Sequence, residues 1–216
     1  MYVAKVFLDT NILKFAATKL PRLRPRKQLV DWGGKTIEVT LHDFVEVNRN
    51  EFIVNPVLKA EAELLPRLAE IGKLGKLEYV MSGETMIESW GLRNMDSKGG
   101  RFYGVPIKVV KAPPDYAYIL AGGEIGVTPM ERQFRFLASI KHKRFLALQK
   151  ITGAYQGERE LNRNQLLDAF HIWCAEHNEC KFFLTLDFKL IKVLSKSKST
   201  VRVVRPSELL AWLESA

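Results

Sequence analysis

The chain has 216 residues, 47% hydrophobic and 26% charged, with 33 Lys and Arg against 24 Asp and Glu, a formal net charge of +9. These proportions fit an ordinary globular chain and exclude a wholly disordered polymer, a collagen-like repeat and a disulfide scaffold. One domain spanning 1–216 with insertions is the expected organisation. The two cysteines, Cys174 and Cys180, are too few to staple a secreted domain and lack C-x-x-C spacing. No apolar run nears the roughly 18 residues of a membrane span, and the opening MYVAKVFLDTNILKF has no signal-peptide pattern. Reduced thiols, a cytoplasmic location and no membrane partner are therefore expected.

In chain order, VAKVFL at 3–8 is a β-type run, and Asp9-Thr10-Asn11 turns it into a helix start. Residues 20–27, rich in Pro and Arg, read as a loop, and the Gly33-Gly34 turn within 29–47 predicts a β-hairpin. Asn55-Pro56 opens a helix carrying Leu58, Ala62, Leu65, Leu68 and Ile71 near helical spacing, kinked at Pro66. Leu77–Met81 predicts a second strand, closed by Ser82-Gly83 and followed by a helix through Leu92. The Gly- and Pro-rich stretch 96–128, which includes some strand-like pieces, reads as a mobile loop or inserted flap. A long helix is predicted from about 129 to 152 and another from Asn164 to Glu179. The buried-looking strand Lys181–Leu186 ends at Asp187, and the strand Val201–Val204 leads through Pro206 into a last helix. Strands separated by helices predict an α/β fold, with a mainly parallel central sheet and helices on both faces, and insertions at about 20–50 and 96–128.

In such a sheet the binding site lies beyond the carboxyl ends of the strands. Asp9 and Asp187 end strands, Asp168 lies early in the helix before the Asp187 strand, and Glu88 follows the Leu77–Met81 strand. Glu84, one turn before Glu88, is the alternative for that position. Singly, each acid reads as a helix cap, a dipole partner or a surface residue. Jointly, four carboxylates at one edge would repel one another unless a hard divalent cation, Mg²⁺ or Mn²⁺, neutralised them. Such a cation supports phosphodiester hydrolysis.

The positive charge points to the same substrate class. It gathers at Lys19, Arg22, Arg24, Arg26 and Lys27, at Lys141, Lys143 and Arg144, and at Lys189, Lys192, Lys196, Lys198, Arg202 and Arg205. Arg22, Arg24, Arg26, Lys27, Lys141, Lys143 and Arg144 are the candidate nucleic-acid contacts. Each run alone reads as a solvated face; three together favour nucleic acid. Trp32, Phe44, Phe102, Tyr103, Tyr116 and Tyr118 either stack bases or pack within the insertions.

The segments VFLDTNIL, VMSGETMIESW, LLDAFHIWCAEHNECKFFLTLDFKL and VRVVRPSELLAWL, in this order, resemble the PIN-domain family of small metal-dependent nucleases. The resemblance implies a three-layer α/β/α sandwich and a Mg²⁺ or Mn²⁺ site formed by Asp9, Glu88, Asp168 and Asp187. It also implies supporting hydrogen bonds from Asn11 and Thr185, and endonuclease action on single-stranded RNA. The partners to expect are nucleic acid, single-stranded RNA first, then a second copy of the chain and a protein inhibitor. The alternatives are a non-catalytic nucleic-acid-binding or assembly module and the toxin of a toxin–antitoxin pair. In HIWCAEHNEC, His171, Cys174, His177 and Cys180 superficially suggest zinc, but steps of three on a helix spread them over different faces, which favours a plain helix. His171 either faces the acids or packs in the core.

Overall fold

The structure, a computed structural model, describes residues 3–17, 19–90, 102–114, 126–154 and 162–215. Side-chain alternation builds the central layer. In β1 (Ala4–Leu8), Ala4, Val6 and Leu8 turn to one core and Phe7 to the other, and all four are buried. β4 (Leu77–Ser82) repeats this with Tyr79 and Met81 against Val80, and β6 (Phe182–Leu184) with Phe182 and Leu184 against Phe183. Strands apolar on both sides belong inside a parallel sheet covered on both faces. β5 (Ile107–Val110) and β7 (Arg202–Val204) complete five strands in the order β5-β4-β1-β6-β7, every pair parallel.

One core gathers α1 (Thr10–Ala16), α2 (Pro56–Glu63), α3 (Leu65–Lys73) and α9 (Pro206–Ser215) on one face of the sheet. The other gathers α5 (Pro129–Ser139), α6 (Lys143–Thr152), α7 (Arg163–His177) and α8 (Phe188–Leu194), the Leu of each closing on Phe7, Val80 and Phe183. The result is a mixed α/β fold in three layers. Among the described residues, no helix is long and apolar enough to cross a membrane.

Several elements depart from the sequence reading. The helix expected over 129–152 is two helices: Ile140 and His142 are extended, and His142 Nδ1 accepts from the Arg144 amide at 3.3 Å to cap α6. Pro66 falls in the first turn of α3, where its missing amide costs no bond, so the chain breaks at Leu64 rather than kinking. Residues 20–27 are not a loop. They belong to β2 (Lys19–Trp32), which pairs antiparallel along its whole length with β3 (Lys35–Asn48). Gly33 and Gly34, at φ of 59° and 76°, form the two-residue turn that only paired positive φ angles allow. Prolines fit β2 because their missing amides face away from β3.

Part of the Gly- and Pro-rich stretch is also core rather than appendage. Residues 107–110 are β5, and Phe102 is fully buried, its ring edge-on to Tyr79 at 5.0 Å. Phe102 is therefore unavailable for base stacking. Tyr116 and Tyr118 lie outside the described residues.

Tyr79 is held on its other side by α3. Its hydroxyl donates to the Leu68 carbonyl at 2.7 Å, and a Cβ on Gly72 would stand 2.4 Å from the ring. Gly72→Ala is therefore expected to destabilise the fold by about 1–3 kcal/mol through overpacking, read as a lower denaturant midpoint at unchanged m-value.

Candidate functional site

Numbered along the chain, the five parallel strands lie in the order 3-2-1-4-5, so successive connections leave β1 in opposite directions. The crevice beyond the carboxyl ends of β1 and β6 is the switch point of such a sheet. Asp9 follows β1 and Asp187 follows β6 by three residues, so both acids flank that crevice. The Asp9 amide continues the sheet by donating to the Leu184 carbonyl at 3.1 Å.

Asp9 occupies the cap position of α1, but its side chain makes no capping bond. Its Oδ2 instead accepts from Asn11 Nδ2 and from Thr185 Oγ1, both at 2.6 Å. Asn11 Oδ1 accepts from the Leu186 amide at 3.0 Å, and Thr185 Oγ1 from the Asp187 amide at 2.9 Å. One short network thus fixes the β6 exit against the β1 exit. Burial pushes the Asp9 carboxyl above its ordinary range, with Glu88 adding to the rise, while His171 and the Thr185 bond oppose it.

Asp187 does cap a helix: its Oδ1 accepts the Lys189 and Leu190 amides at 2.8 and 3.0 Å. Asp168, in the second turn of α7, accepts no hydrogen bond from the described residues. Its carboxyl is pushed up to about 8, first by burial and then by the charges of Asp9, Asp187 and Glu88. Asp168 is thus within electrostatic reach of the other three acids, and Asp9 of Glu88. Among the described residues, however, no three His, Cys, Asp or Glu side chains form a ready-made metal-binding group.

The choice between Glu84 and Glu88 follows from their surroundings. On α4 (Gly83–Trp90), Glu84 is fully buried and accepts from Gln133 Nε2, and Gln133 Oε1 in turn accepts from Arg163. Glu88 instead points toward the acids, its Oε2 accepting from Thr10 Oγ1 at 2.6 Å. His171 lies beneath this carboxylate, 3.9 Å from Glu88 Oε2 and 3.4 Å from Thr85 Oγ1, and is 2% exposed. Sequence reasoning passed over Thr10 and Thr85. The one available signal was Thr10's place between Asp9 and Asn11.

The basic candidates are dispersed. Arg144 is gripped by Glu176 through Nε at 2.7 Å and donates to the Lys198 carbonyl. Glu176 lies eight residues, about 12 Å, along α7 from Asp168, next to Asn178, whose carbonyl receives Lys5 Nζ at the start of β1. Lys141, Lys143 and Arg144 therefore stand at the amino edge, away from the acids. On the hairpin, Arg22 stacks on Phe52 at 4.3 Å, Arg26 pairs with Asp43 at 3.1 Å, and Lys27 pairs with Glu38 at 2.7 Å, while Arg24 is exposed. The His171–Cys180 pattern runs along continuous helix through His177; both cysteines are free and buried, whereas His177 is exposed. A scan against protein-family models gave no match, and a search of curated proteins found none.

Proposed function

We propose that the chain is a metal-dependent endonuclease with a PIN-like fold, hydrolysing phosphodiester bonds in single-stranded RNA in the cytoplasm. The observation that carries this reading is Asp168, a half-buried carboxylate with no described hydrogen-bond donor, raised to about 8 first by desolvation and then by three further acids from separate elements. Such an arrangement is costly unless positive charge offsets it. The donor set is all oxygen and sits at the sheet's switch point, which suits Mg²⁺ or Mn²⁺. Asp9, Glu88, Asp168 and Asp187 would hold the cation. When bound, it supplies charge neutralisation at a phosphate and acidifies water.

The chain's own residues do the rest. Asn11 and Thr185 fix the orientation of Asp9, so the carboxylate does not reorganise when a phosphate arrives. Asp187 keeps one oxygen on its helix cap, which locks its rotamer and presents the other. Thr10, adjacent to Asp9 in sequence, tethers Glu88 from α4. The net positive charge draws a polyanion toward an acidic centre that would otherwise repel it.

The test is cleavage of labelled single-stranded RNA, single-stranded DNA and a duplex with Mn²⁺, Mg²⁺ or EDTA. Cutting with either metal, none in EDTA and the fastest rate on single-stranded RNA are expected. Salt-sensitive binding with no cutting of any substrate would overturn the enzymatic reading and leave a binding module.

A further inference from the structure

The hairpin is a two-stranded sheet of its own, solvated on both faces, and strands of this kind are marginal without a third strand or a packed face. Large apolar side chains lie exposed on both of its faces. Leu23, Leu29 and Phe44 share one face, with Phe44 78% exposed, and Ile37, Leu41 and Trp32 share the other, with Trp32 74% exposed.

Its two outer edges differ. The Gly33-Gly34 turn makes Trp32 and Lys35 the closing hydrogen-bonded pair, so hydrogen-bonded and open rungs alternate from there. Pro21 and Pro25 fall on open rungs, where the amide would point outward. The outer edge of β2 therefore lacks donors at two alternate outward positions, a standard block to strand addition. β3 carries no proline, and its outward amides at Thr36, Glu38, Thr40, His42 and Phe44 meet no strand among the described residues.

We propose that the outer edge of β3 pairs antiparallel with β3 of a second copy, giving a two-fold, four-stranded sheet. Among the registers that keep the outward amides paired, only the one centred on Thr40 opposes Glu38 to a basic side chain. Centring the axis on Thr40 opposes Glu38 of each copy to His42 of the other and places Thr40 against Thr40, a favourable cross-strand pair. Moving the axis two residues either way opposes Glu38 to itself or to Glu46. Pairing over 36–44 adds about ten backbone hydrogen bonds, and it sets Phe44 of each copy opposite Thr36 of the other. The proposal does not depend on the nuclease reading, because its readout is association rather than cleavage.

Lys27 and Thr40 face each other across one open rung, so both amides point outward, from opposite edges. This permits a matched test by sedimentation equilibrium. Wild type and Lys27→Pro are expected to be dimers and Thr40→Pro a monomer, with all three giving the same circular-dichroism spectrum. A monomeric wild type at about 100 µM, well above ordinary dimer dissociation constants, overturns the proposal, as does a dimeric Thr40→Pro. Should Thr40→Pro fail to fold, Thr40→Cys carrying a nitroxide label gives the second reading, since Cys174 and Cys180 are buried. The two labels would sit on backbones about 5.5 Å apart, so strong dipolar broadening is expected and its absence overturns the pairing. A monomeric wild type whose RNA affinity falls in Thr40→Pro also overturns it and assigns the hairpin to nucleic acid.

Discussion

Asp9→Asn is expected to lower metal-dependent cleavage by about a thousandfold or more, the rate equivalent of losing several kcal/mol of transition-state charge stabilisation. Substrate affinity is expected to be unchanged. The substitution is nearly isosteric, and its amide oxygen can take the place of Oδ2, accepting from Asn11 and Thr185 as the carboxylate does. The β1–β6 junction therefore survives and only the charge is lost. Because burial already disfavours that charge, the variant should fold at least as stably as the wild type.

Two comparisons keep this interpretable. Thr185→Val removes the hydroxyl that donates to Asp9 and accepts from the Asp187 amide, leaving the charges in place. It should cost less activity than Asp9→Asn and more stability, because a partly buried amide loses its acceptor. The double variant Asp9→Asn with Asp187→Asn should be scarcely slower than Asp9→Asn alone, as residues acting as one unit are not additive. Cleavage that persists at wild-type rate in Asp9→Asn, measured on single-stranded RNA with Mn²⁺, would remove this centre from the reaction.

What the sequence disclosed followed from how local each signal was. Asp9 and Asp187 could be read directly, because each is a carboxylate set just after a short apolar run, and the sheet rule gives that position meaning. Glu84 and Glu88 could not be separated by such reasoning, since one helical turn keeps both on neighbouring parts of one face. Only tertiary partners distinguish them, Gln133 for Glu84 and Thr10 for Glu88. β2 was obscured by composition. Arg22, Arg24 and Arg26 alternate with Leu23 and Pro25 as a strand requires, but the prolines argue for a loop until β3 supplies the register that tolerates them. β5 was hidden for a different reason: four residues at the sheet edge, flanked by Gly and Pro, carry too short a pattern to stand out. The dispersal of the basic clusters was equally invisible, because charge runs say nothing about which end of a helix they reach.

Asp168 yields the second large effect, and it appears in stability rather than rate. In the unfolded chain its carboxyl titrates near the ordinary value of 3.8; in the folded, metal-free chain it titrates at about 8. Below pH about 4 both states hold the proton, and the folded state keeps the whole of this group's favourable contribution. Between about 4 and 8 the unfolded chain binds fewer protons than the folded one, so stability falls as pH rises. Above about 8 the folded chain also ionises and the decline ends. The total is of the order of a few kcal/mol. Asp168→Asn removes this titration, so in EDTA its denaturant midpoint should vary less between pH 5 and pH 8 than that of the wild type. At pH 8 the variant should be the more stable of the two. Adding Mg²⁺ or Mn²⁺ should raise the wild-type midpoint at pH 8 and leave the variant's nearly unchanged, because a cation that binds only the folded ionised site offsets the same repulsion. Parallel pH profiles for the two proteins in EDTA would show that Asp168 does not sit among interacting carboxylates. A difference in EDTA with no response to either metal would keep the acidic cluster and remove the cation from it.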